Sequence, residues 1–166
     1  MENETEKTAE ESLTIERTFS APRAEVWKAF TDPKLVKQWW GPKGFTSPFC
    51  SVDLYVGGKY LFCMRSPDGK DYWSTGVYTE INEPEVIVCS DSFSDEKGNI
   101  VPAAHYGMNP DFPLEMMLYV KLEEMDGKTK LTLKHSGLPE GKDREMAKQG
   151  WEESLDKLEK IFSEKK

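Results

Sequence analysis

The sequence predicts an α+β fold in which a curved antiparallel sheet of about six or seven strands wraps around one long C-terminal helix. The middle of the chain consists of short segments rich in aromatic and β-branched residues, separated by turns of Gly, Pro, Asn and Asp. The last segment, residues 143–162, changes to helical spacing. Because no helical segment separates the strands in the middle of the chain, the sequence predicts an antiparallel sheet and not a parallel Rossmann sheet.

The size and charge of the chain exclude several classes of protein. Its 166 residues fit one domain, and its formal net charge of -8 opposes binding to nucleic acid or to an anionic membrane surface. Residues 1–12 contain five glutamates and one lysine, which predicts a disordered acidic tail before a single domain over residues 13–166. With no signal peptide and no apolar run long enough for a membrane span, the sequence predicts a cytoplasmic protein.

The N-terminal part of the domain is predicted to form one strand and two short helices. Residues 13–19 alternate apolar and polar side chains, which is typical of a strand. Ser20 is predicted to cap the first helix, with Pro22 just inside it. Asp32 and the proline that follows it repeat this start signal for a second helix, which ends near Trp39.

A series of hairpins follows. Six strands are predicted near residues 47–54, 58–65, 72–82, 85–92, 114–124 and 128–136. The connection between Phe93 and Pro113 is long and rich in proline, which predicts a lid or a rim loop. Within it, His105, Tyr106 and Met108 are predicted rim or lid residues.

The last helix is predicted to lie across the concave face of the sheet. Its apolar stripe consists of Ala147, Trp151, Leu155, Leu158 and Phe162. Gly150 and Ser154 flank this stripe, and such small side chains leave space where a closely packed helix would carry Leu or Ile. The pattern therefore predicts space between this helix and the sheet.

Five stretches along the chain carry a resemblance to a known family: QWWGPKGFT, DSFSDEKGN, HYGMNPDFPLEM, DGKTKLTLKHSGLP and GWEESLDKLEK. Together they resemble the START-like superfamily (SRPBCC) with the helix-grip fold, in the branch related to the C-terminal domain of the activator of heat-shock-protein ATPase. The resemblance covers about residues 13–163. It implies a cavity that in relatives holds lipids, sterols, polyketides or other apolar molecules, and the branch implies a chaperone as a further partner.

Side chains alternate between the two faces of each predicted strand. Together with the implied cavity, this alternation predicts which residues line a ligand-binding cavity. The predicted cavity residues are Trp40, Phe45, Tyr60, Phe62, Met64, Trp73, Tyr78, Leu133, His135, Gly150, Trp151 and Ser154. Trp39 is expected to pack in the core, while Trp40 and Phe45 lean toward the cavity mouth, because consecutive residues at a helix end differ by about 100°. Polar contacts to a ligand are expected from Trp73, Tyr78 and His135.

The residues that could take part in catalysis, ligand binding or metal binding allow several interpretations. His135 is either a hydrogen-bonded core residue or a ligand contact. The sequence shows no nucleophile motif, phosphate loop or metal-ligand spacing, so we assign no catalytic residue, cofactor or metal. Cys50, Cys63 and Cys89 are predicted to be reduced thiols in apolar surroundings.

Three functional hypotheses follow from these observations. The first is the non-catalytic binding of an apolar or amphipathic small molecule, and the second is a co-chaperone-like interaction with a chaperone. The third is a cyclase-like or hydrolase-like enzyme that uses His135 and a tyrosine, with Glu80 as an acid or base if it points inward rather than to solvent.

Overall fold

The computed structural model describes residues 12–164 of the chain. Seven strands form one antiparallel sheet in the order β1-β7-β6-β5-β4-β3-β2. The strands are β1 Ser12–Phe19, β2 Thr46–Val52, β3 Lys59–Arg65, β4 Asp71–Asn82, β5 Val86–Ser94, β6 Met116–Met125 and β7 Lys128–Ser136. The helices are α1 Arg23–Thr31, α2 Pro33–Trp39 and α3 Lys142–Glu164, with a 3-10 helix at Ala103–Tyr106.

This architecture confirms the predicted helix-grip fold, with a curled antiparallel sheet, two short helices after the first strand and a long C-terminal helix. The predicted acidic tail lies outside the described residues, except for Ser12, where β1 begins. Among residues 12–164, no helix combines the length and the apolar character that a membrane crossing requires.

The two short helices begin in different ways. At α2, the Asp32 side chain accepts a hydrogen bond from the backbone N–H of Lys34 at 2.9 Å, as its position before a proline predicts. At α1, the predicted cap at Ser20 is wrong. Pro22 occupies the N-cap position with extended backbone, and its carbonyl accepts the first helical hydrogen bonds, so Ser20 lies two residues too early to cap the helix.

Part of the core lies between the sheet and the C-terminal half of α3. Leu155, Leu158 and Phe162 are buried there. The ring of Phe162 meets that of Phe19 from β1 edge to face, with ring centres 5.6 Å apart. The periodic stripe of α3 therefore packs onto the concave face of the sheet.

Trp39 joins the two short helices in the core. Its side chain is fully buried, and its indole N–H donates to the carbonyl of Ala29 at 2.9 Å. Gly41 then adopts a φ of 105°, which is costly for residues with a side chain, and the chain turns away from the helix. Trp40 is left half-buried between the turn and the sheet.

The loop of residues 41–45, which follows Trp40, is attached to α3 by polar contacts. The ammonium group of Lys157 donates to the carbonyls of Pro42 and Phe45 at 3.4 and 3.3 Å. One turn earlier, a carboxylate oxygen of Glu153 accepts from the backbone N–H of Lys43 at 3.3 Å. These contacts fix the loop beside the middle of α3.

Two irregularities shape the sheet. In β2, the pairing with β3 shifts between Thr46 and Phe49. In β4, the pairing with β5 shifts between Tyr78 and Glu80. Because a bulge reverses which face the following side chains occupy, Tyr78 is buried while Glu80 is exposed to solvent. The sequence left open whether Glu80 points inward or to solvent, and in the structure it points to solvent.

Candidate functional site

A small cavity lies between the concave face of the sheet and the three helices. Ten residues line it: Phe30, Trp40, Tyr60, Phe62, Tyr78, Ile87, Cys89, Leu118, Val120 and Trp151. Its volume is about 30 Å³. Since one water molecule needs roughly 10–15 Å³ on this measure, the space holds about two water-sized groups.

The cavity has a buried floor and a half-buried mouth. The floor comes from strands β3 to β6, and its side chains are all buried. Phe30, Trp40 and Trp151 form the mouth, and each of them is half-buried. Trp40 meets Trp151 edge to face with ring centres 5.4 Å apart, and meets Phe62 in the same way at 4.8 Å. Three half-buried aromatic rings thus stand between the cavity and solvent.

Tyr60 reaches across the sheet because Gly76 faces it. A Cβ atom at Gly76 would overlap the Tyr60 ring and the carbonyl oxygen of Ser90, so only glycine fits at this position. The Tyr60 hydroxyl donates to Asp91 Oδ1 at 2.8 Å and lies 3.1 Å from the carbonyl of Ser90. Tyr60 therefore connects the cavity floor to the carboxylate of Asp91.

His135 lies beside Asp91 and receives a hydrogen bond from α3. The indole N–H of Trp151 donates to His135 Nδ1 at 3.1 Å. An indole nitrogen can only donate, so Nδ1 carries no proton and His135 is the neutral tautomer with hydrogen on Nε2. That Nε2 lies 3.0 Å from Asp91 Oδ2, but at an angle too bent for a good hydrogen bond. We call Trp151, His135, Asp91 and Tyr60 the buried polar chain.

Asp91 is unusual among the carboxylates of the described residues. Its side chain is only 17% exposed, and its one ion-pair neighbour within 4.0 Å is His135, whose Nδ1 accepts a hydrogen bond from Trp151. By contrast, the more exposed carboxylates of Asp71 and Asp156 each contact an arginine at 2.7 Å. Asp91 therefore lacks a cationic partner among residues 12–164.

The titratable groups that line the cavity are neutral at physiological pH. Burial, assisted by the charge of Asp91, raises the pKa of the Tyr60 hydroxyl well above its usual value of 10. Burial also raises the pKa of the Tyr78 hydroxyl and of the Cys89 thiol. None of these three groups is thus ionised as an activated nucleophile would be.

The structure places the predicted cavity residues in three groups. Trp40, Tyr60, Phe62, Tyr78 and Trp151 line the cavity. Leu133, His135 and Ser154 are buried outside that lining, and His135 contacts it through Trp151. Phe45, Met64, Trp73 and Gly150 lie elsewhere. As ligand contacts, all of them remain predictions.

The residues outside the lining have other neighbours. The ring of Trp73 lies 5.6 Å from that of Phe49, on the face of the sheet opposite Tyr60. Phe45 lies 6.3 Å from Tyr72, measured between ring centres. A Cβ atom on Gly150 would stand 3.4 Å from Pro42 of the loop, so this glycine allows the close approach of α3 to residues 41–45.

The predicted rim residues lie over the ends of β4 and β5. The Tyr106 hydroxyl donates to the carbonyl of Ser94 and accepts from the backbone N–H of Trp73. His105 is exposed beside it, and Met108 is half-buried. Among the described residues, no cluster of three His, Cys, Asp or Glu side chains could hold a metal ion.

Several lining residues were not predicted from the sequence: Phe30, Ile87, Cys89, Leu118 and Val120. Asp91 was missed as well, although a signal for it exists. Ile87, Cys89 and Asp91 are spaced by two along β5, so a buried Ile and Cys place the carboxylate on the same inner face.

Comparisons with known proteins agree with this architecture. A family model described as "Activator of Hsp90 ATPase homolog 1-like protein" matches residues 20–163. Among curated proteins, none matches the sequence. A solved structure from Chromobacterium violaceum shares 26% identity with a TM-score of 0.74, covering 92% of this chain and 97% of its own.

Two further structures, both below 25% identity, support the fold alone. One, from Nitrosomonas europaea, has 24% identity and a TM-score of 0.76, covering 95% of this chain and 97% of its own. The AHSA1 protein of Silicibacter pomeroyi has 24% identity and a TM-score of 0.70, covering 93% and 99%. Because the family model spans most of the sequence, this chain belongs to the family of activator of Hsp90 ATPase homolog 1-like proteins.

Proposed function

We propose that this protein binds a small apolar or amphipathic molecule in the cavity between the sheet and α3, in the cytoplasm, and does not convert it chemically. The observation that carries this proposal is the aromatic cavity with a buried floor and a half-buried mouth. Ligand sites in proteins are concave and mostly apolar, with a few polar groups that orient the ligand. Here the buried polar chain supplies those groups.

Binding requires the mouth to open, because the present volume of about 30 Å³ is too small for an organic ligand. The rings that must separate are those of Phe30, Trp40 and Trp151. A ligand that binds only the open state stabilises that state by its affinity for it. We therefore expect ligand binding to change the environment of Trp40 and Trp151.

The absence of catalysis in this proposal has two supports. The raised pKa values of Tyr60, Tyr78 and Cys89 keep these groups protonated. In the tautomer described above, Nδ1 is the nitrogen of His135 that could accept a proton, and it already accepts the hydrogen bond from Trp151. His135 thus presents no free nitrogen to accept a proton from a bound molecule.

The test is a screen of the full chain against fatty acids, sterols and aromatic compounds, read by melting temperature and tryptophan fluorescence. At least one class should raise the melting temperature and shift the fluorescence. Protein purified from its own host should also carry a bound mass in native mass spectrometry. No stabilisation by any compound, combined with an empty protein, would contradict the proposal.

Two variants locate the bound molecule. Cys89→Met adds bulk inside the cavity and should weaken binding at least tenfold. Val88→Met changes the neighbouring residue of β5, which points to the opposite face, and should leave binding unchanged. Equal affinities for the two variants would place the ligand outside this cavity.

The family match supports a second candidate function, a co-chaperone-like interaction with an Hsp90-type chaperone. It is tested by titrating the protein against the chaperone of its own host and measuring ATP turnover. A rise in turnover that saturates would support this interaction. Unchanged turnover at saturating protein would rule it out as an activator.

A further inference from the structure

The lining of the cavity is richer in aromatic rings than the binding of apolar molecules requires. Six of its ten residues are aromatic: Phe30, Trp40, Tyr60, Phe62, Tyr78 and Trp151. Aliphatic side chains would bury an apolar ligand equally well. Aromatic faces differ because their electron density attracts cations within about 6 Å, most strongly where water is excluded.

The carboxylate of Asp91 adds a negative charge beside these rings. It is mostly buried and, among the described residues, has no Lys or Arg within 4.0 Å. A mostly buried carboxylate that has no Lys or Arg beside it is unfavourable, and a cation bound nearby would offset part of that cost. His135 cannot supply the positive charge while its Nδ1 accepts the Trp151 hydrogen bond.

Tyr60 connects the carboxylate to the cavity. Its hydroxyl donates to Asp91 Oδ1, while its ring belongs to the cavity lining. Donation to a carboxylate moves electron density from the O–H bond into the ring, and this strengthens the attraction of the ring for a cation. At longer range, the net charge of -8 favours the approach of cations to the protein.

We propose that the cavity recognises an organic cation, such as an alkylated ammonium group carried on an apolar or amphipathic molecule. The ammonium group binds among the aromatic rings near Asp91, and the rest of the molecule extends to the mouth at Phe30, Trp40 and Trp151. This inference rests on the proposed function, since it names the chemical class of the molecule bound in the same cavity.

The test compares two molecules of the same shape. Choline carries a trimethylammonium group, and 3,3-dimethylbutan-1-ol has carbon in place of the charged nitrogen. Titration calorimetry or NMR on the full chain should show that choline binds at least tenfold more tightly. Equal affinities would overturn the organic-cation proposal and leave the proposed function standing.

Two other outcomes are decisive. If neither molecule binds while a neutral compound from the screen does, the organic-cation proposal is wrong and the proposed function holds. If neither binds and the screen finds no ligand at all, the proposed function fails, and the organic-cation proposal fails with it.

Variants then test the role of Asp91. Asp91→Asn removes the charge at nearly constant shape, and the preference for choline should fall severalfold while the affinity for the neutral alcohol stays the same. Asp156→Asn removes an exposed carboxylate on α3 and should change neither affinity. If Asp91→Asn does not fold, Tyr60→Phe is tested in its place. Tyr60→Phe removes the hydrogen bond between the Tyr60 hydroxyl and Asp91, and it should also lower the preference for choline. An unchanged preference in the folded variant would overturn the role of Asp91.

Discussion

The two halves of α3 face the same sheet but have different surroundings. In the C-terminal half, Leu155, Leu158 and Phe162 are buried in the apolar core. In the N-terminal half, Gly150 stands beside the half-buried Trp151, which borders the cavity and donates to His135. We call these two regions the core half and the site half.

The contrast shows that one amphipathic helix contributes both to the core and to the lining of a cavity. In the core half, buried apolar atoms stabilise the fold through their contacts with neighbouring atoms. In the site half, the ring of Trp151 borders the unfilled cavity, and its N–H donates to His135. The core half therefore contributes buried apolar side chains to the fold, while the site half borders the cavity.

The largest effect is expected in the core half. Leu158→Ala leaves a cavity in the buried core and should lower the free energy of unfolding by about 2–5 kcal/mol, measured by urea denaturation. Met146→Ala on the same helix is the control, because Met146 is exposed, and it should stay within about 0.5 kcal/mol of wild type. A Leu158→Ala loss no larger than that of the control would remove the contrast between the halves.

A smaller loss is expected in the site half. Trp151→Phe keeps an aromatic ring but removes the N–H group, which leaves His135 Nδ1 without its donor. An unpaired buried acceptor costs about 1–3 kcal/mol, again measured by urea denaturation. Trp73→Phe makes the same change on the opposite face of the sheet, so its loss should be smaller. Equal losses would show that the hydrogen bond to His135 contributes nothing.

Alkaline pH should destabilise the protein through Tyr78, which lies on β4 and lines the cavity that the site half borders. Because burial raises the pKa of Tyr78, the folded protein keeps a proton that the unfolded chain loses above pH 10. Stability should therefore fall as the pH rises above 10, by up to about 1.4 kcal/mol per pH unit for one such proton. Tyr78→Phe should make this slope shallower in urea denaturation at several pH values. Leu158→Val, in the core half, should lower stability without changing the slope.

The smallest effect concerns the exposed surface of the core half. Asp156→Asn removes the ion pair between Arg17 and Asp156, and the Asp156 side chain is 64% exposed. Such pairs contribute about 0.2–1 kcal/mol, and salt screens them. The difference from wild type in urea denaturation should shrink at high salt. A loss above about 2 kcal/mol, insensitive to salt, would show that this pair belongs to the structural core.

The fold was predictable because it follows local periodicity. The spacing of α3 predicted a helix over residues 143–162, close to the observed Lys142–Glu164. Turn residues marked the hairpins, and Asp32 marked the start of α2. The wrong cap at Ser20 has a local cause, since Pro22 accepts the first helical hydrogen bonds with its own backbone carbonyl.

The site was less predictable because its contacts join distant parts of the chain. Alternation places Tyr60 and Phe62 on one face of β3, and the structure puts both in the cavity lining. Trp73 and Tyr78 were both predicted to contact the ligand, but residues five apart in a strand point to opposite faces, so only Tyr78 reaches the lining.

The buried polar chain left even less trace in the sequence. Asp91, His135 and Trp151 lie on β5, β7 and α3, and they meet only through the strand order and the placement of the helix. No local pattern specifies such a meeting. Only the inward position of Asp91 could have been derived, from its spacing with Ile87 and Cys89.

The irregular start of β2 bears on how the protein behaves at high concentration. β2 is one edge of the open sheet, and such an edge offers unpaired backbone groups to a strand from another molecule. The shift between Thr46 and Phe49 interrupts the regular edge, and Pro48 within it has no N–H to offer. This segment of β2 thus protects the molecule from the edge-to-edge association that begins aggregation.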